Sequence, residues 1–131
     1  MDTPTLHQVA PFAGELGAEV LAAGPEEVRL RLDWTAERTT AGGAMHGGAL
    51  MALADTAGAV CAFLNLPEGA VGTTTIHSGT NFLRAVRDGH VEAVARPLHT
   101  GRSTIVVDTD LRDAEGRIVA RTTQTQAVLA G

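Results

Sequence analysis

Hydrophobic and polar positions along this chain switch between two periods. Val28, Leu30, Leu32 and Trp34 alternate with charged residues, the period-two pattern of a half-buried strand. Between Gly47 and Leu64 the alternation stops, and Asp55 and Thr56 are the only interruptions in a run of small and apolar residues. That run predicts a helix, its start marked by His46-Gly47-Gly48 and its end by Asn65 and Pro67. Alternation then returns. Strands are predicted over Thr73 to Val86, rich in Thr and broken at Gly79, and over Val91 to Leu98 after the turn signal Asp88-Gly89. Ser103 to Leu111 follows, with Ile105, Val107, Thr109 and Leu111 on one face. Ile118 to Leu129 comes after a turn around Ala114-Glu115-Gly116. Pro4 to Gly14 predicts a short leading helix, and Thr39 to Gly43 a flexible loop.

A strand, a long helix and a run of antiparallel strands make an α+β domain in which one helix covers one curved sheet. The length of 131 residues fits a single domain spanning 1–131, without repeats or a linker. A helix lying on its own sheet needs only one apolar face, and this one is apolar on nearly all of them. The surplus implies a sheet wrapped around the helix, or burial against a second subunit. An edge strand patterned like these also invites pairing with a second copy.

Composition narrows the partners. Aromatic residues make up 3% of the chain and Tyr is absent, so the stacking platforms of single-strand nucleic-acid binders are lacking. A formal charge of -5 argues against phosphate backbones in general. All 10 basic residues are Arg, most from Arg84 onward, which leaves room for a local cluster aimed at a small anion. Cys61 is the only cysteine, so no intrachain disulfide can form, and a reducing, cytoplasmic location is expected. The first residues show no basic stretch followed by an apolar one, so no secretory signal is expected. The stretch from Gly47 to Leu66 is long enough to span a membrane. It is mostly Ala and Gly, holds an acid near its middle and lacks flanking Arg anchors, so a buried helix of a protein without membrane contact is expected.

Asp55 is the only formally charged residue from Gly47 to Leu64. A carboxylate is costly to bury without partners, so a residue in that setting has a partner or a task. One reading is an acid satisfied by neighbouring Thr or backbone groups, or facing a wet interface. The other is a nucleophile or general base held in a dry site, where partial burial would favour base chemistry. Gly47 and Gly48 fall where the first-turn amides of a helix lack intrahelical acceptors and the dipole is positive. They are candidate donors to a developing oxyanion, or a turn that lets the chain enter the helix. Nine residues separate His46 from Asp55, about 13 Å along a helix axis. One small reacting group cannot touch both within one chain. If both act on it, a second copy supplies one of them.

The string His46-Gly47-Gly48, Leu50 and Leu53-Ala54-Asp55-Thr56 resembles the signature of hotdog-fold acyl-CoA thioesterases of the phenylacetate-pathway (PaaI-like) type. Asn81-Phe82-Leu83-Arg84-Ala85-Val86 is similar to a further strand of that family, and Gly101-Arg102 and Gly116-Arg117-Ile118-Val119-Ala120 to its last two strands. The resemblance spans Val28 to Val128. It implies a curved antiparallel sheet around one long helix, a homodimer whose interface holds the site, and association to homotetramers. It also implies hydrolysis of an acyl-CoA, with phenylacetyl- or hydroxyphenylacetyl-CoA as the substrate type and phenylacetate degradation as the setting. Coenzyme A enters as part of the substrate; no resident metal or cofactor is implied.

By the same resemblance Asp55 is the catalytic acid, Gly47 the oxyanion amide and His46 the residue that shapes the site beside the thioester, with Gly48 next to it. Asp rather than Glu matches the PaaI-like branch more than the hydroxybenzoyl-CoA branch. Thr75 falls where relatives place a Ser or Thr that positions the attacking water, and Thr73 is the alternative register. Relatives commonly carry Asn where this chain has Thr40, which has a shorter reach. Arg84, Arg87 and Arg102, with Gly101 and Ser103, are candidates for the CoA phosphates; solvated surface arginines are the alternative.

Cys61, Met45 and Met51 read as packing, and His7, His77, His90 and His99 show no metal-ligand spacing. The glycines near His46 lack a P-loop ending. Two rival functions are a non-catalytic acyl-CoA binding or sensing module, and an enoyl-CoA hydratase.

Overall fold

The computed structural model describes residues 1–131. Two short helices, α1 (Thr3–Val9) and α2 (Pro11–Leu16), stand where one was predicted. Pro11 has no N–H to continue α1 and its ring crowds the preceding turn, so the chain breaks at Ala10 and restarts. The strand β1 (Glu19–Ala23) escaped the sequence reading, because its residues are largely exposed and carry no clean alternation. In β2 (Val28–Asp33) the alternation is exact in effect: Val28, Leu30 and Leu32 are buried, and Trp34 lies just past the strand.

The long helix is α3 (Gly47–Phe63). It is followed by β3 (Ala70–Phe82), β4 (His90–Thr100), β5 (Thr104–Asp113) and β6 (Ile118–Ala130). Gly79 does not break β3, since it pairs with Thr123 of β6; the two irregularities lie between Ala70 and Gly72 and between Thr75 and His77. The strand ends at Phe82 rather than Val86, where Leu83 and Arg84 turn their amides to Val119 O. All six strands form one antiparallel sheet in the order β1-β2-β4-β5-β6-β3.

The sheet wraps α3, which packs against β2, β3, β4, β5 and β6. Leu50, Leu53, Ala54, Ala57, Gly58, Cys61 and Ala62 form the buried side of the helix. Across the sheet, Ile105, Val107, Thr109 and Leu111 of β5 are buried, as the alternation requires. A side chain such as Leu53, fully enclosed, contributes roughly 1.5–3 kcal/mol of burial free energy. Two expectations for α3 are corrected. Met51 is 48% exposed instead of packed, and Asp55 is exposed instead of buried, because the sheet wraps the opposite side of the helix and only Gln124 of β6 reaches Asp55. Met45 is buried as expected. No helix is long and apolar enough to cross a membrane.

Candidate active site

The approach to α3 is held by a lattice of backbone bonds. Trp34 Nε1 donates to Gly43 O at 3.0 Å, Thr40 N to Ala44 O at 2.8 Å, Met45 N to Val86 O at 2.7 Å and His46 N to Arg38 O at 2.7 Å. Arg38 in turn spends its guanidinium on Leu16 O and Asp33 O. Gly42 and Gly43 both take positive φ, +84° and +79°, so this tight entry needs residues without Cβ. His46 then caps the helix: its Nδ1 accepts from Gly48 N at 2.8 Å. The Gly48 amide is therefore occupied. The neighbouring Gly47 N–H has no acceptor in the chain and sits at the positive end of the α3 dipole. Of the two glycine amides, that of Gly47 is the one left free to donate.

Beside Gly47 lies an open cleft of about 370 Å³ lined by Leu50, Phe82, Leu83 and Arg84, and Gly47 itself has the Phe82 ring against it. On the other side of the helix start is a larger open cleft of about 780 Å³. Phe12, Leu16, Ala49 and Ala52 give it apolar walls, with His46, Gly48, Glu15 and Glu37 at its edge.

Asp55 projects from α3 two turns beyond Gly47, about 12 Å along the axis. Gln124 Nε2 of β6 donates to its Oδ1 at 3.4 Å, and no other side chain bonds to it. Thr75 is close by in register terms. It pairs with Gln126, whose Nε2 donates to Thr75 Oγ1 at 2.6 Å, and Gln126 is two residues from Gln124 on the same face of β6. Thr73 makes no side-chain hydrogen bond, so Thr75 is the threonine that this polar row engages. Thr40 lies at the loop entry with its side chain exposed and is tied through its backbone alone.

The arginines are not gathered within one chain. Arg84 borders the cleft at Gly47, and Arg87 lines a different depression with Asp88 and Asp113. Arg102 lies at the far end of β3 beside Gly69 and Ala70. A single-chain cluster is thus ruled out by geometry: Arg84 and Arg102 flank opposite ends of a 13-residue strand. None of the three forms an ion pair. Gly101 is tightly placed, since a Cβ there would press on the His99 ring and Thr104 O, and Ser103 O accepts from Val128 N at 2.9 Å. Cys61 is fully buried, and burial pushes its thiol up to about 11. No three His, Cys, Asp or Glu side chains come together as a metal site.

Sequence reading missed Gln124 and Gln126. Their signal was available: both fall on inward positions of a strand whose other inward residues are enclosed, and polar residues there call for partners.

The thioesterase superfamily model matches residues 42–120, more than half of the chain and all of the stretch from the loop entry to β6. The chain belongs to the thioesterase superfamily. It is a thioester hydrolase with the hotdog fold, the open antiparallel sheet around α3 being that architecture. Its structure is similar to that of a thioesterase from Haemophilus influenzae, with a TM-score of 0.90 and 29% identity, covering 99% of this chain and 92% of that one. A variant of the phenylacetic acid degradation protein PaaI from Thermus thermophilus superposes with a TM-score of 0.83 at 30% identity, covering 91% of this chain and 99% of that one. In sequence, the 1,4-dihydroxy-2-naphthoyl-CoA hydrolase of Escherichia coli is 33% identical over 87 residues, 66% of this chain and 63% of that protein.

Proposed function

We propose that this thioesterase hydrolyses an acyl-CoA to free acid and CoA at a site shared by two copies of the chain. The observation that carries the reading is the division of labour on α3. Its first-turn Gly47 N–H is free to bind an oxyanion, while its carboxylate, Asp55, is exposed about 12 Å further along. One thioester carbonyl cannot reach both in one chain, so the Gly47 of one protomer faces the Asp55 of the other. The strand β3 supports such pairing, since it is a free sheet edge of 13 residues with Val71, Ile76 and Phe82 exposed. The same apolar exposure favours a homodimer that associates further to a homotetramer.

In the reaction, Asp55 either takes a proton from a water that attacks the carbonyl carbon or attacks that carbon itself. The carbonyl oxygen gains negative charge and is held by the Gly47 N–H, with His46 beside it. Collapse breaks the C–S bond, the thiolate takes up a proton, and water supplies the oxygen of the acid; on the nucleophilic route water cleaves the acyl-Asp55 anhydride. Thr75 orients the water. No resident metal or redox cofactor is required. Arg84 and Arg87 of one copy, with Arg102, Gly101 and Ser103 brought from the opposite end of the sheet by the other, meet the CoA phosphates. The apolar cleft with Phe12 suits a flat acyl group such as phenylacetyl or hydroxyphenylacetyl. A cytoplasmic setting, where acyl-CoA is made, goes with this reading.

The test is thiol release from a panel of aryl- and fatty acyl-CoAs by wild type and Asp55→Asn. Release by wild type and near-complete loss in the variant is expected. Binding without release by wild type would favour an acyl-CoA sensing module instead.

A further inference from the structure

Thr122, Gln124 and Gln126 occupy alternate inward positions of β6, and each is at most 1% exposed. A strand face pressed on a helix ordinarily carries apolar side chains, and a buried amide is costly unless its groups are paired. Thr122 is paired with Thr80 at 2.8 Å and Gln126 with Thr75 at 2.6 Å. Gln124 differs from both. Its Nε2 donates to Asp55 Oδ1, but its Oε1 is buried without a partner. Met or Leu would fill the same space without that cost.

The helix makes room for this side chain. A methyl group added at Gly58, one turn after Asp55, would coincide with Gln124 Oε1. Glycine inside a helix is itself unfavourable relative to Ala. Two local costs, a mid-helix glycine and a half-paired buried amide, therefore meet at Gln124 Oε1, and the other end of the same amide donates to Asp55. Such departures from local preference collect where a site is being held in place.

We propose that Gln124 is the positioning residue of Asp55. Seated in the gap that Gly58 leaves, its amide donates to Oδ1, restricts the rotation of an otherwise exposed carboxylate and keeps Oδ2 turned to the reacting atoms. The inference rests on the acyl-CoA hydrolysis proposed above. Gln126 holds Thr75 in the same manner from two residues further on, so one face of β6 sets the spacing between carboxylate and threonine.

The experiment follows thiol release from an acyl-CoA by wild type, Gln124→Met, Gln124→Glu and Asp55→Asn between about pH 5 and about pH 9, with thermal melting of each. Gln124→Met keeps the volume and removes the donor; its kcat is expected to fall about 10- to 100-fold with KM within about twofold. Gln124→Glu gives a sharper readout. While that Glu is protonated its O–H replaces the amide, and once ionised it repels Asp55, so activity falls with rising pH where wild type does not. A purely structural role would not invert the profile. Wild-type kcat in Gln124→Met, or a wild-type pH profile in Gln124→Glu, overturns the positioning role. Should Gln124→Met fail to fold, the profile of Gln124→Glu decides. The parent reading fails separately: if wild type releases no thiol, or Asp55→Asn matches it, hydrolysis through Asp55 falls and the role of Gln124 falls with it.

Discussion

His46 folds its imidazole back onto the Gly48 amide, so the residue that opens α3 also selects which amide stays free. The cap is made by Nδ1 accepting a hydrogen bond from the Gly48 N–H, so the hydrogen of the neutral ring sits on Nε2. Two consequences follow for one side chain: the helix start is stabilised, and the Gly47 N–H is left as the donor.

Replacing His46 with Ala therefore removes an N-cap and costs about 1 kcal/mol, while His46→Asp retains a capping acceptor and recovers most of it. Urea unfolding of the two variants measures this. Equal stability of His46→Ala and wild type would mean that the cap carries no weight.

The shared site proposed above makes a prediction for mixed oligomers. Asp55→Asn supplies an intact Gly47, and Gly47→Pro supplies an intact Asp55 without the N–H. When the two inactive chains are unfolded and refolded together, half of the dimers are mixed and each has one complete site. Activity should return to about a quarter of wild type. No recovery, with each variant folded, would place both groups of a site in one chain.

Gly58→Ala should lower the melting temperature, although Ala favours a helix by up to about 1 kcal/mol over Gly. The new methyl collides with Gln124 Oε1. In the Gln124→Ala background the same substitution should instead be neutral or stabilising, a coupling that a double-mutant cycle reads directly. An additive result would show that the two residues are independent.

Cys61 is enclosed and its thiol is pushed up from 9.0 to about 11 by burial. Its folded value lies above its unfolded one, so its contribution to stability is complete below about pH 9 and is lost as pH rises towards 11. In the native protein at neutral pH the thiol should resist a disulfide reagent and react fully only in denaturant. Rapid native labelling would mean that α3 opens locally.

Much of this was legible in the residues. The alternation of Val28, Leu30 and Leu32 and of Ile105, Val107, Thr109 and Leu111 reports directly which side of a strand faces the core, because a strand has a period of two. The run from Gly47 to Phe63 could only be a helix of this length with Pro67 behind it. β1 was not legible, because an edge strand exposed on most positions leaves no pattern to read. The split of the leading helix turned on one missing N–H at Pro11.

The site divides in the same way. His46, Gly47, Gly48 and Asp55 are fixed by local sequence, since cap geometry and helical rise depend only on neighbours along the chain. Their separation, too large for one substrate atom, is set there as well. What only the tertiary structure decided is the company that each keeps. Asp55 is exposed because the sheet wraps the other side of α3, and Gln124 reaches it from β6, 69 residues away in sequence. Arg84 and Arg102 are parted by the length of β3. Contacts between distant segments follow from strand order and register, and no local pattern of polar and apolar residues encodes those.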